Sequence, residues 1–383
     1  MDLRLSDEQQ AFRGSVRSWA DDVVRPRALA NDREERFPTE GLAGLRTNGY
    51  LGLTIAEEYG GGGADPLSYA LLIEELGRAD ANVRSIVSVH LGLAAGAIGR
   101  WGTPDQRQRW LPSMATGETL GCFALTEPDH GSDPANLQAA AVRDGESYRI
   151  TGRKVFITNG SIAGVALVMA RTGGPGARGV SAFLVPTDAA GFTAVPIHGK
   201  LGLRSCDTAE LVLDDVVVGR DALLGGVEGA GIKVALSALD DGRLSLSASC
   251  TGIAQAALEA MIGYAGQREQ FGKPIAGHQL VQEMIADTAV DVDCARLLTW
   301  QVADLKAHGE AYSLAASKAK LFASEASVRA ANACLQVHGG YGYVDEYPAG
   351  KLLRDARVTT LYEGTTQIQK LIIGRALTGL SAF

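Results

Sequence analysis

The 383-residue sequence contains five cysteines (Cys122, Cys206, Cys250, Cys294 and Cys334) and no CxxC pair among them. Scattered thiols in odd number argue against a disulfide framework and against a zinc site, and for reduced cysteines in a cytoplasmic setting. The six histidines are equally dispersed, so no metal centre is expected. There is no basic stripe with interleaved aromatics, and the net charge is −8, so nucleic-acid binding has no support. The opening Met1-Asp2-Leu3-Arg4-Leu5-Ser6-Asp7-Glu8 is too polar for a signal peptide. No apolar run approaches the roughly 20 residues that span a bilayer, so no membrane partner is expected. A GxGxxG motif is missing, and Gly60-Gly61-Gly62-Gly63 lacks the Gly-Lys-Ser/Thr that would make it a phosphate-cradling loop.

What is present is an ordinary globular composition, 46% hydrophobic and 21% charged, over a length that suggests two or three folding units. Residues 1–118 read as helical. Ser6-Asp7-Glu8-Gln9 has the form of a capping box, and Phe12, Val16, Trp19, Val23 and Val24 follow at helical spacing. Residues 66–78 and the nearly all-apolar 86–98 read as further helices, the second deeply buried. Residues 119–227 alternate short β-type runs with turn signals such as Asn159-Gly160 and Ala190-Gly191. That texture suggests an antiparallel sandwich or barrel. From 228 to 383 the pattern is helical again, with long segments at 232–264, 278–308 and 312–338 and a shorter one at 366–377, the ingredients of an up-down bundle. The expected fold class is α+β, in the order helical domain, β domain, helical bundle.

The run from Arg354 to Gln369 concentrates the chemistry. Glu363 lies between a semi-apolar approach (Val358, Leu361, Tyr362) and a Gly-Thr-Thr turn. Two readings stand. A carboxylate held there is partly desolvated and rises in pKa towards the range of a general base. Alternatively, a Glu just ahead of a helix caps its N–H groups and meets its dipole.

Three further signatures occur in order. They are Cys122-Phe123-Ala124-Leu125-Thr126-Glu127-Pro128-Asp129-His130-Gly131-Ser132-Asp133, then Arg268-Glu269-Gln270-Phe271-Gly272-Lys273-Pro274-Ile275, then Gln336-Val337-His338-Gly339-Gly340-Tyr341-Gly342-Tyr343. Together with Tyr362-Glu363-Gly364-Thr365 they resemble the acyl-CoA dehydrogenase family over essentially the full chain, with a pattern similar to its short-chain members. The resemblance implies helical, β and four-helix-bundle domains, assembly as a tetramer or dimer, and non-covalent FAD. It implies that Leu125, Thr126, Phe156, Ile157 and Thr158 line the flavin, and that Gly131 and Ser132 offer polar contacts to phosphate or pantetheine. It further implies that Arg268, Gln270 and Phe271, with Gln336, Gly339 and Gly340, reach the FAD of a neighbouring subunit, and that Thr365 and Gln367 contact the same cofactor.

The implied reaction removes two hydrogens from an acyl thioester. Glu363 takes the α proton while the β hydrogen leaves as hydride to flavin N5. The thioester oxygen is polarised by the Glu363 N–H and the flavin ribitol, with the chain around Tyr362 and Gly364 beside the substrate. Members that carry the base on a bundle helix do so where this chain has Gly242, within Leu239-Asp240-Asp241-Gly242-Arg243. Asp240 and Arg243 match residues on the pantetheine and adenine side, and an i, i+3 ion pair is the simpler role.

Departures from the pattern bear on the substrate. Asp129 and His130 replace two small residues, and Phe156 stands where many members have Trp. Arg84 occupies a position that glutaryl-CoA dehydrogenases use to meet a distal carboxylate, although their companion Glu is Gly77 here. A pair with Asp80 is the alternative reading for Arg84. The expected activity is dehydrogenation of a short acyl thioester, polar or carboxylated in the Arg84 reading, with electrons passing to an electron-transfer flavoprotein. The rivals are a dehydrogenase of acyl groups on an acyl carrier protein, an oxidase using O₂, and a non-catalytic flavin-binding protein.

Overall fold

The structure, a computed structural model, describes residues 4–382. The first helical region comprises α1 (Asp7–Trp19), α2 (Arg25–Glu34), α3 (Thr39–Thr47), α4 (Pro66–Ala79), α5 (Ala81–Val87), α6 (Gly96–Trp101) and α7 (Pro104–Thr116). The capping box forms as expected: the Gln9 N–H donates to Ser6 Oγ and the Ser6 N–H to Gln9 Oε1, both at 3.1 Å. Between α5 and α6 the chain stays helical, with π-type turns at Ser88–Ala95. The whole run Ala81–Trp101 has the length and composition of a membrane span, which corrects the expectation that no apolar run comes close. It is 89% buried within the protein, and so serves as a core helix. Its His90 is kept neutral by burial, with a pKa lowered to about 4. The ring accepts the Gly121 N–H at Nδ1 and donates from Nε2 towards the Leu51 and Met114 carbonyls.

The middle region is one curled sheet of β1 (Gly121–Ala124), β2 (Ala140–Asp144), β3 (Ser147–Thr158), β4 (Val165–Arg171), β5 (Val180–Pro186), β6 (Phe192–Pro196) and β7 (Thr208–Gly219). The order is β1-β4-β2-β3-β7-β6, with β5 also on β4. Most pairs are antiparallel, but β1 runs parallel to β4 (Gly121 opposite Val165), as does the single β2–β4 pairing. The runs at 148–150 and 154–158 are one strand, β3, whose register against β7 slips twice, after Ile150 and after Lys154. The second slip precedes Phe156, which adopts a positive φ of 61°.

The last region holds α8 (Gly231–Gln267), α9 (Gln279–Ala307), α10 (Ser313–His338), α11 (Ala349–Val358) and α12 (Thr366–Thr378), with a two-stranded ribbon, β8 (Glu269–Gln270) and β9 (Lys273–Pro274). Helices α8, α9 and α10 pack on one another and α12 on α10. Helix α4 lies against α8 so closely that a Cβ on Gly252 would collide with the Glu74 carbonyl oxygen. At that crossing Arg78, 4% exposed, donates to Glu75 and Asp21 at 2.8 Å and to Glu259 at 3.2 Å, joining the two helical regions.

Candidate active site

Glu363 lies in the short loop between α11 and α12, and both it and Gly364 have positive φ, 55° and 87°. A left-handed glutamate is strained and persists only where its surroundings hold it. Three buried side chains do so through the carbonyls. Gln369 Nε2 donates to Glu363 O (3.0 Å) and Gly364 O (3.1 Å), Lys320 Nζ to Gly364 O (2.8 Å), and Arg243 Nε to Glu363 O (3.4 Å). The helix cap is supplied by Thr365, whose hydroxyl accepts the Ile368 N–H at 3.2 Å. Thr365, and not Glu363, therefore caps α12, and the capping half of the simpler reading falls.

The helix leading into this loop is pinned from two other regions. Lys351 Nζ donates to Asp355 (2.6 Å) and Asp80 (2.8 Å), while Asp355 accepts the Leu203 N–H at 2.6 Å. Asp80 also takes the N–H and the side-chain amide of Asn82. Asp80 is thus committed to Lys351, which overturns the pairing with Arg84. Arg84, 2% exposed, instead donates from Nη2 to the Tyr362 hydroxyl at 2.9 Å.

Glu363 Oε2 and Arg84 Nε are shut away from water and have no hydrogen-bond partner among the described residues. Desolvation pushes the Glu363 carboxyl up to about 7, against the opposing pull of Arg243, Lys320 and Arg84. Gly242 gives the carboxylate its space, since a Cβ there would collide with Glu363 Oε2. On the same turn of α8, Arg243 Nη1 pairs with Asp240 at 2.6 Å, the simpler of the roles considered for these two residues. Tyr69, Ser88 and Ser245 escaped the sequence reading. Ser88 and Ser245 hydroxyls meet at 2.7 Å, and Tyr69 lies within electrostatic reach of Asp241, Arg84 and Glu363.

A second group gathers where β1 ends. The Val155 N–H donates to Thr126 O at 3.0 Å, which brings Leu125 and Thr126 beside Phe156, Ile157 and Thr158. Beneath them lies an ion pair that the sequence reading did not assign. Lys154 is fully buried and donates to Glu127 (2.8 Å) and to Leu125 O (3.1 Å), while Glu127 also accepts the N–H groups of Gln138 and Ala139. Asn159, three residues past Phe156, donates to Ile86 O at 3.1 Å and so fastens this group to the helix that carries Arg84. Gly131 and Ser132 are exposed on the following loop.

Family models cover three consecutive stretches: acyl-CoA dehydrogenase N-terminal domain at residues 6–118, middle domain at 122–216 and C-terminal domain at 229–378. The chain belongs to the acyl-CoA dehydrogenase family. An acyl-CoA dehydrogenase of Bacillus subtilis (strain 168) is 41% identical over 378 residues, 98% of this chain and all of that one. Butyryl-CoA dehydrogenase of Megasphaera elsdenii superposes with a TM-score of 0.96 at 37% identity, covering 98% of this chain and 100% of that one. Glutaryl-CoA dehydrogenase of Mycobacterium smegmatis, solved in complex with FADH2, gives 0.94 at 36%, covering 99% and 96%.

In this acyl-CoA dehydrogenase the surface around Phe156 suits a flavin. Its ring is 67% exposed on a left-handed backbone, backed by Ile157 at 2% and Leu125 at 7%. A planar apolar partner would cover it. The residues matched to the remote half of FAD lie elsewhere. Arg268 follows α8, with its guanidinium over the Tyr341 ring at 5.9 Å, and Phe271 is 94% exposed. Gln270, Gln336 and Gly340 are also exposed, and Gly339, at φ 59°, is the C-cap that ends α10. From Gly242 to Arg268 the rise along α8 is about 39 Å. Thr365 and Gln367 stay with Glu363, at the start of α12.

Proposed function

We propose that this dehydrogenase acts on the α,β bond of a short acyl thioester, with Glu363 as the base that removes the α proton. The observation that carries this reading is the water-shielded, unpartnered Glu363 Oε2, whose raised pKa of about 7 makes it a proton acceptor near neutrality. The loop geometry supports it. The Glu363 and Gly364 carbonyls are drawn back by Lys320, Gln369 and Arg243. Among the described residues the Glu363 N–H takes no part in the loop's hydrogen bonds. That N–H would meet a thioester oxygen as charge builds on it. Leu125, Thr126, Ser132, Phe156, Ile157 and Thr158 would hold the flavin, helped by Thr365 and Gln367. Arg268, Gln270, Phe271, Gln336, Gly339 and Gly340 would hold a neighbouring subunit's cofactor, in a dimer or tetramer. When bound, FAD supplies the acceptor for the β hydride, and an electron-transfer flavoprotein would then take the electrons.

Arg84 and Tyr362 would face the far end of the acyl group. With Asp80 committed to Lys351, the buried guanidinium has a neutral phenol as its hydrogen-bonded partner and an unused Nε, which suits a substrate carboxylate. The companion Glu of glutaryl enzymes has no room at Gly77, where a Cβ would come within 2.8 Å of the Ser249 carbonyl oxygen. Asp240 and Arg243 would border the carrier arm.

Anaerobic flavin bleaching against straight, branched and dicarboxylic acyl thioesters tests the reading. Glu363→Gln should slow it by roughly 10²–10⁴. Bleaching at the native rate in that variant would end the assignment. A second reading keeps the chemistry and changes the carrier to an acyl carrier protein. It is favoured by Asp129 and His130, which occupy the tight turn closed by the Glu127 and His130 backbones at 3.0 and 3.2 Å. Turnover of one acyl group on both carriers decides between them.

A further inference from the structure

A lysine without exposed surface has surrendered the hydration of its ammonium and needs a partner that justifies the cost. Lys320 is such a residue, on a face of α10 otherwise built from Ala316, Ala319, Ala323 and Ser327. Its Nζ finds a backbone carbonyl, that of Gly364, at 2.8 Å. Arg243, the other cation bonded to this loop's backbone, has its charge matched by Asp240 at 2.6 Å. Among the described residues Lys320 makes no ion pair, and Glu363, the residue before Gly364, is among the acids within reach of its charge.

We propose that Lys320 is a positioning residue for Glu363: it clamps the Gly364 carbonyl so that the loop keeps its left-handed turn, and its positive charge favours the ionised carboxylate. This rests on the reading of Glu363 as base. Burial lowers the Lys320 pKa to about 8, with Glu363 among the groups pulling it back up, so the ammonium persists through the range in which Glu363 titrates. The other groups in play come from every neighbouring element. Tyr69 and Arg84 belong to the first helical region, Arg243 and Cys250 to α8, Glu325 to α10 and Tyr362 to the loop itself. Glu325 accepts the Thr366 hydroxyl at 2.6 Å. Tyr69, Tyr362 and Cys250 are all pushed up by burial and stay neutral near pH 7. Among the cations acting on Glu363, Arg84 is bonded to the Tyr362 hydroxyl and Arg243 is paired with Asp240, which leaves Lys320 as the one whose removal tests the idea cleanly.

The test uses the flavin-loaded enzyme with Lys320→Met, Lys320→Arg and Glu363→Gln. The pH profile of anaerobic flavin reduction by butyryl-CoA is measured, together with an infrared titration of the carboxyl band that Glu363→Gln abolishes. In Lys320→Met the acidic limb and the infrared midpoint should both move up by about half a unit or more, with kcat falling further than KM rises. Lys320→Arg should restore the wild-type limb. An unmoved limb in Lys320→Met, or an equal displacement in Lys320→Arg, overturns the proposal. Should Lys320→Met not fold, Lys320→Gln, neutral but still a donor, is read in the same way. Native-rate bleaching in Glu363→Gln would instead defeat the base assignment, so the two failures are distinguishable.

Discussion

Arg84 and Tyr362, 278 positions apart in sequence, meet at 2.9 Å between guanidinium Nη2 and phenol oxygen. Burial lifts the Tyr362 hydroxyl to about 12, so it stays neutral and does not cancel the arginine's charge. The residue next to the candidate base is therefore held by a cation whose charge remains available. That arrangement is costly for an apolar substrate and useful for an anionic one.

The first prediction follows from it. Arg84→Gln should lower kcat/KM for a glutaryl thioester relative to a butyryl thioester by roughly 10²-fold or more, the scale for losing one partner of a buried charge pair. Tyr362→Phe should lower both substrates more evenly, because it removes a positioning contact and leaves the charge. Equal losses for both thioesters in Arg84→Gln would exclude a carboxylate-recognising role.

The Glu363 pKa carries a stability prediction with a definite sign. A carboxyl at about 7 when folded and about 4.5 when unfolded keeps its proton longer in the native state. Stability therefore falls as pH rises from 4.5 to 7, and the penalty is complete above 7. Glu363→Gln removes it, so the variant should be more stable than wild type at pH 8, by at most about 3 kcal/mol. At pH 4.5 and below the gain should vanish. Denaturant unfolding at the two pH values checks this, and a gain of equal size at both would contradict it.

Much of this arrangement was legible in the chain, for physical reasons that vary by element. The long helices α8, α9 and α10 announce themselves because periodicity accumulates over 26 or more residues. Strands β1 and β2 did not, being four and five residues long. Helix α11 was missed although it is amphipathic, because ten residues opening at Pro348 and Gly350 leave its period little length to accumulate. Glu363 stood out through its neighbours. Lys320 was hidden because its partner is a carbonyl 44 residues away, although a lone lysine on an alanine face was a signal that could have been used. The Asp80–Lys351 pair, 271 residues apart, left no local trace, so Arg84 was matched with the nearer Asp80.

Close helix packing gives a third prediction. Gly252→Ala would drive a methyl into the Glu74 carbonyl at the α4–α8 crossing, where backbone cannot yield cheaply. It should cost about 3 kcal/mol or more, in the range of severe overpacking. Gly263→Ala on the same helix meets nothing within 4 Å and should stabilise by about 0.5–1 kcal/mol. Similar midpoints for the two variants in thermal unfolding would show that the crossing is looser than its geometry.

The buried Lys154–Glu127 pair underlies the surface proposed for the flavin. Lys154→Met strands Glu127 beside the Gln138 and Ala139 amides and frees the Leu125 carbonyl. A loss of about 3–5 kcal/mol in stability is expected from an orphaned buried charge. The purified variant should also carry less yellow cofactor, read as the ratio of absorbance at the flavin band to that of protein. Full occupancy at native affinity would mean that the pair supports the sheet and not the cofactor loop.

The last prediction concerns subunits. Arg268 lies about 39 Å along α8 from Gly242, beside which the Glu363 carboxylate lies, a span longer than one dinucleotide can bridge. If the Arg268 group grips a cofactor, that cofactor belongs to a neighbouring chain, and each site draws on two subunits. Arg268→Ala and Glu363→Gln should then each be nearly inactive alone, the first through weak FAD binding and the second through loss of the base. Co-expressed in equal amounts, they should recover about a quarter of native sites, because a mixed pair joins one intact Arg268 to the other chain's intact Glu363. Flavin content should stay near half of native, the average of the two variants, while activity alone rises to about a quarter, and each variant assayed by itself controls for contaminating native enzyme. If activity in the mixture only averages that of the two variants, Arg268 acts within its own chain or not on the cofactor at all.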